Sequence, residues 1–230
     1  MRNTTTALIR QVLIEIYLVE NQKQTALKYE LTNSITHGIG ILFGIASVPL
    51  LTALAIRSNN MNGIVGASVY GFCFLMLFTF STLYHGFQQP RVKQVLQVFD
   101  HISIYFLIAG TYTPFILNYL FNTTGIIMLS VLWGLAVTGI FFKIFFTGRF
   151  RILSTIIYLL MGWMMVWSGK AFFATMPASV ITMIIIGGLL YTIGVIFYLM
   201  EKWQWHHAVW HLFVLAAAIC HYVAVLLTVA

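Results

Sequence analysis

An all-α, polytopic membrane protein with seven transmembrane helices is the fold this sequence predicts, and three observations predict it. Of the 230 residues, 60% are hydrophobic and only 7% are Asp, Glu, Lys or Arg, against about 25% charged residues in soluble domains. Apolar runs close to the roughly 20 residues that cross a bilayer recur along the whole chain. The interruptions between them are short, and they carry polar residues, Pro or Gly.

Long apolar runs place the helices at 35–56, 63–87, 98–120, 124–142, 151–170, 178–199 and 207–229. The breaks are Arg57–Asn62 (RSNNMN), Gln88–Gln94 (QQPRVKQ), Asn122–Gly125 (NTTG), Thr147–Arg151 (TGRFR), Met176–Ala178 (MPA) and Glu201–Gln204 (EKWQ). Pro114 falls inside the third span, where a kink or local unwinding is expected, repaired by neighbouring helices. Upstream, residues 7–19 (ALIRQVLIEIYLV) are too polar for a signal peptide. Arg10 and Glu15 interrupt the apolar core, and no small-residue cleavage pattern follows. The stretch predicts an amphipathic helix lying on the membrane. Residues 1–34 therefore read as a cytoplasmic or interfacial segment, and 35–230 as the transmembrane domain. No fixed-period repeat and no interdomain linker is visible.

Direction follows from the basic residues. Seven spans put the N-terminal tail and the second, fourth and sixth loops on one side. That side carries Arg2, Arg10, Lys23, Lys28, Arg91, Lys93, Lys143, Arg149, Arg151 and Lys202, whereas the other carries only Arg57 and Lys170. The bias predicts a cytoplasmic N-terminus and an outside C-terminus, in the cell inner (plasma) membrane. The net charge of +7 is thus spread between hydrophobic segments rather than gathered in one patch, which excludes a nucleic-acid surface. Cys73 and Cys220 lie within predicted helices without CxxC spacing, so neither a disulfide nor a thiolate metal site is indicated.

With direction assigned, the rare polar residues converge in depth. His85 ends the second helix, Asp100 and His101 open the third, and His207 and His211 open the seventh. His37, at the start of the first helix, shares their layer in the inner half of the membrane. His207 and His211 stand four apart, on one helix face and about 6 Å from each other. Buried there, they are hydrogen-bonded core histidines, a proton-sensitive pair, or two ligands of a metal. Catalytic zinc takes three protein ligands and keeps an open position. His85 is the natural third, Ser81 lies on its face at i−4, and Asp100 supplies a carboxylate at the same depth. A carboxylate at mid-helix costs about 2.5–3.5 kcal/mol on insertion scales, so it needs a partner, and a divalent ion is the strongest available. Imidazoles also suit iron, copper and nickel.

Ser81–His85 (STLYH), the aspartate of VFDHISIYFLIAGTYTP, and His207–His211 (HAVWH) together resemble the bacterial haemolysin III proteins, members of the progestin and adipoQ receptor superfamily of seven-helix membrane proteins. Glu30–Gly40 (ELTNSITHGIG) is similar to that family's entry to its first helix. The resemblance covers the chain from about residue 30 onward. It implies a zinc ion near the cytoplasmic face held by His85, His207 and His211. Asp100 corresponds to the aspartate that contacts the zinc-bound water, and Ser81 to the nearby serine. The superfamily also looks related to membrane ceramidases, which break a lipid amide, whereas bacterial members are named for cytolysis or described in membrane homeostasis.

Three functions remain in view. The first is a zinc-dependent hydrolase of a membrane lipid, with an amide bond favoured, in which Asp100 handles the proton of the attacking water and Ser81 positions it or steadies the oxyanion. The second is a sensor or receptor-like protein in which zinc is structural. The third is a pore-forming cytolysin. Other residues are expected to do less. His37 reads as a hydrogen bonder near the site, His101 and His206 as interfacial, and His221, about 15 Å along the helix from His211, as outside it. Tyr84 and Tyr112 read as interfacial or packing aromatics that could touch it. Gly38, Gly40, Gly44, Gly187, Gly188 and Gly194 are expected to let helices approach closely.

Overall fold

The structure, a computed structural model, describes residues 2–230, and the side chains of residues 2–10 and of residue 12 fall outside the described set. Among the described residues all regular structure is helical. The elements are α1 (Arg2–Arg57), α2 (Met61–Gly86), α3 (Pro90–Tyr119), α4 (Thr123–Phe146), α5 (Arg151–Gly162), a 3₁₀ turn (Met164–Val166), α6 (Lys170–Phe173), α7 (Ala178–Leu199) and α8 (His206–Val229). Six of these helices are long and apolar enough to cross a membrane. Large apolar side chains such as Leu42, Phe72 and Phe145 face outward, as they do where lipid replaces water. This is a multi-pass membrane protein.

Local chemistry sets the helix starts. Asn60 and Asn122 cap α2 and α4, accepting hydrogen bonds from the backbone N–H of Gly63 (2.7 Å) and Gly125 (3.1 Å), contacts worth about 1 kcal/mol each. Pro90 opens α3, where a missing N–H costs nothing. The third helix therefore begins eight residues before the expected 98. Asp100 consequently sits about three turns inside α3 rather than at its start. It is not an N-cap. Pro114 leaves the helix assignment unbroken.

Two segments differ from expectation. Residues 7–19 and 35–56 belong to one continuous helix, α1, whose 56 residues span roughly 84 Å at 1.5 Å per residue. Its first contacts with the bundle come at Lys28 and Tyr29, against Gln204 and Trp205. The amphipathic pattern of 7–19 rests partly on residues outside the described side chains. The expected fifth span is divided: α5 has 12 residues, too short alone for a hydrocarbon core of about 30 Å. Gly169, at φ +57°, turns the chain before α6. Tyr112 of α3 holds this break. Its hydroxyl donates to the Gly162 carbonyl (2.7 Å) and accepts from the Met165 N–H (3.1 Å), so two backbone groups freed by the interruption find partners inside the protein.

The helices form a closed arrangement in which α2 lies between α1 and α3, α4 lies on α3, and α7 lies on α8. Helix α8 then returns to α1 and touches α2 and α3, with α5 between α3 and α7. Tyr70 and Tyr222 tie it together by donating to the carbonyls of Ala218 (3.0 Å) and Ser47 (3.1 Å). Close approach needs glycine at particular points. Gly40, Gly44, Gly187 and Gly194 serve as expected, since a methyl there would fall within 3 Å of a neighbour, whereas Gly38 and Gly188 have room for one. The tightest backbone crossing was not foreseen: a methyl on Gly66 would lie 2.5 Å from the Pro114 Cα.

Gly66→Ala is therefore expected to force α2 and α3 apart. Overpacking of this kind costs about 1–3 kcal/mol, more than the roughly 1 kcal/mol that alanine gains over glycine in a helix. Thermal unfolding in detergent should show a lower Tm for Gly66→Ala. Gly134→Ala, where nothing lies within 4 Å, should show no loss.

Candidate metal centre

The return of α8 to α2 brings together groups that are more than a hundred residues apart. His85 projects from the last turn of α2, and His207 and His211 from the first turns of α8. One nitrogen from each of the three lies within 4.8 Å of the others, close enough for a shared cation. The ring centroids are 4.6 Å apart for His207 and His211, 4.8 Å for His85 and His211, and 5.1 Å for His85 and His207. His85 and His211 are almost fully buried, and His207 is partly so.

Two of the imidazoles have unspent nitrogens. Nε2 of His85 and Nδ1 of His211 are buried without a hydrogen-bond partner among the described residues, a state costing about 1–3 kcal/mol per group. A metal ion accepts such lone pairs, so the donor set fits one. The other nitrogen of His85 is engaged: Nδ1 lies 2.8 Å from Glu30 Oε2. Lys93 Nζ reaches the same carboxylate oxygen at 2.8 Å and donates to the Tyr84 carbonyl at 3.1 Å. If Nδ1 donates to Glu30, Nε2 is left with a lone pair. A carboxylate behind a ligating histidine both orients the ring and makes it more basic. In the sequence Glu30 reads only as part of a helix entry or a seal. The signal that could have found it was its position seven residues, two turns, before His37 on one helix face.

Ser81 and Asp100 line a cavity of about 390 Å³ together with His207 and His211. Asp100 stands outside the three-histidine group. His37 is buried, its ring centroid 3.7 Å from that of His211, and neither of its nitrogens has a partner among the described residues. It is beside the site, as expected, but makes no hydrogen bond with a described residue, contrary to the role expected of it. His101 lines the cavity, and its Nδ1 is 2.6 Å from the Gln97 carbonyl oxygen. His206 is half-buried beside His207. His221 lies against Gly187 and bonds the Ile184 carbonyl at 3.2 Å, at the far wall of the same cavity. Tyr84 and Tyr112 also line it.

Lys143 changes place most. The count of basic residues puts it in a loop, whereas the structure puts it in the last turn of α4, 2% exposed, on the cavity wall. It leaves the tally that argues for direction. Arg151, also on that wall, is ion-paired with Glu201.

Glu30→Ala is expected to weaken metal binding at the triad by about 10–100-fold, the usual cost of losing a carboxylate behind a metal ligand. Competition with a chromophoric chelator measures it. Glu30→Gln, which keeps an acceptor without the charge, should fall between.

Comparison with known proteins agrees with this arrangement. The family described as Haemolysin-III related matches residues 25–222. A hemolysin-3 homolog of Bacillus subtilis (strain 168) is 42% identical over 200 residues, covering 87% of this chain and 94% of that protein. Hemolysin-3 of Bacillus cereus is 40% identical over 199 residues, covering 86% and 91%. The monocyte to macrophage differentiation factor of Homo sapiens is 28% identical over 208 residues, covering 84% and 81%. A helical membrane bundle, a buried histidine triad and a match over most of the length lead to one assignment: the chain belongs to the haemolysin III family, within the progestin and adipoQ receptor superfamily.

Proposed function

We propose that this protein is a zinc-dependent hydrolase of a membrane lipid, acting by preference on an amide bond and contributing to membrane homeostasis. The observation that carries the reading is the meeting of three imidazoles with a carboxylate-bearing cavity inside a bilayer-spanning bundle. His85, His207 and His211 hold the ion. Once bound, zinc supplies Lewis acidity toward a carbonyl oxygen and makes water acidic enough to lose a proton near neutral pH.

The chain's own groups do the remainder. Asp100 takes the proton from the attacking water and passes it to the leaving amine nitrogen. The Ser81 hydroxyl donates a hydrogen bond to the carbonyl oxygen as negative charge gathers there. Glu30 keeps His85 turned toward the ion. Leu77, Ile104, Leu107 and Ile108 line the cavity and give an acyl chain an apolar wall. The fifth segment, α5 with its 3₁₀ turn and α6, acts as one broken span, which makes seven in all and leaves the N-terminus cytoplasmic and the C-terminus outside. In that orientation the histidines lie near the inner face of the plasma membrane.

A second reading has an observation of its own. The triad bridges only α2 and α8, and Asp100 is not among the clustered atoms, an arrangement equally suited to a sensor in which the ion clamps two helices. The two readings part on Asp100→Asn. For the hydrolase, elemental analysis of the variant should show zinc retained while turnover of lipid amides falls by about 10²–10⁴. His207→Ala and His211→Ala should lose the metal. Wild-type, zinc-loaded protein that cleaves no member of a broad lipid amide and ester panel would leave the clamp as the function.

A further inference from the structure

Lys143 is the least explained charge in the molecule. Its side chain is 2% exposed, on a helix with the composition of a membrane span. Its one hydrogen bond runs to a neutral oxygen, Oγ of Ser154, at 2.7 Å. That hydroxyl donates onward to the Phe150 carbonyl (3.0 Å), so it meets Lys143 as an acceptor. The rings of Phe142 and Tyr158 flank the ammonium at 5.8 Å each. No carboxylate lies within 4.0 Å of it among the described residues. An ammonium has three donors, and two are unspent. A buried cation without a close counter-charge is costly, so this position favours an anionic partner.

The cavity is where that anion goes. Lys143 and Arg151 share its wall with a single carboxylate, Asp100. Arg151 is committed to Glu201 but keeps further donors on its guanidinium. The ammonium of Lys143 thus stands where α4 ends and α5 begins, while Leu77, Ile104, Leu107 and Ile108 make another part of the lining apolar. A ligand that satisfies both is an amphiphile with an anionic head. Phosphate suits a lysine as a point charge and an arginine as a fork.

We propose that Lys143 is the anion-binding residue of this cavity and that its ligand is the phosphate headgroup of an acidic membrane phospholipid. The site rests on Lys143 and its surroundings rather than on the metal, and it stands whether or not the cavity hydrolyses what it holds.

The test uses the full chain in neutral detergent with a chelator present, so that metal chemistry plays no part. Native mass spectrometry measures binding of phosphatidylglycerol, phosphatidylcholine of matched chains, and inorganic phosphate. Wild-type protein should prefer phosphatidylglycerol. Lys143→Met should lose that preference by about tenfold or more, the loss expected for a charge-assisted hydrogen bond, with phosphatidylcholine binding unchanged. Lys143→Arg should keep it. Equal binding of the two lipids by the wild type, or an unaltered preference in Lys143→Met, would overturn the proposal. Inorganic phosphate competing at the same concentration as phosphatidylglycerol would overturn the lipid as ligand. Should Lys143→Met fail to fold, the lipid preference of the wild type and of Lys143→Arg still decides.

Discussion

Hydrocarbon offers no hydrogen-bond partner, so every polar group placed inside this bundle must be answered from within the bundle. Much of the architecture follows from that constraint. Tyr70 and Tyr222 reach across helices to backbone carbonyls, and Tyr112 stitches the interrupted fifth segment. The apolar side chains, normally the inward-facing ones, are free to line the outside. At one end of α2 and α8 the constraint is left unmet by the protein alone, and there the three histidines gather.

Helix α1 contributes more to that end than a span would. Glu30 and His37 fall along one of its faces, two turns apart, and both approach the triad, Glu30 at His85 and His37 at His211. Glu30 joins α1 to α2 through His85 and to α3 through Lys93. Ser34 adds a bond to the Thr82 carbonyl (2.9 Å), and Tyr29 reaches Gln204 before α8 (2.6 Å). The histidine cluster is therefore held by a collar of contacts from four elements. A ligand ring so braced loses little freedom when it takes up an ion, which favours tight binding over adaptable binding.

The cavity that opens from the cluster has two chemical characters. His207, His211, Ser81 and Asp100 give it a polar wall, and Ile104, Leu107 and Ile108 of α3 an apolar one. The buried ammonium of Lys143 lies toward the ends of α4 and α5. Such a lining matches an amphiphile with its head at the polar wall and its chain among the helices. Family membership speaks to the fold, whereas the choice of ligand is proposed from these wall residues.

Composition, apolar run length and the polar interruptions were enough to read a helical membrane protein and to place most of its helices, because desolvation acts on each stretch of chain by itself. The i, i+4 histidines of HAVWH and the STLYH motif were equally legible, since helical geometry alone puts those residues on one face. Partners that depend on which helix lies beside which were not. Glu30 looked like part of a helix entry and Lys143 like a loop cation, because their surroundings come from neighbours distant in the chain. The unbroken α1 and the divided fifth segment escaped for a related reason: local hydropathy marks where a chain can cross a membrane, but the Tyr112 hydroxyl and the collar around Glu30 exist only once the helices have packed.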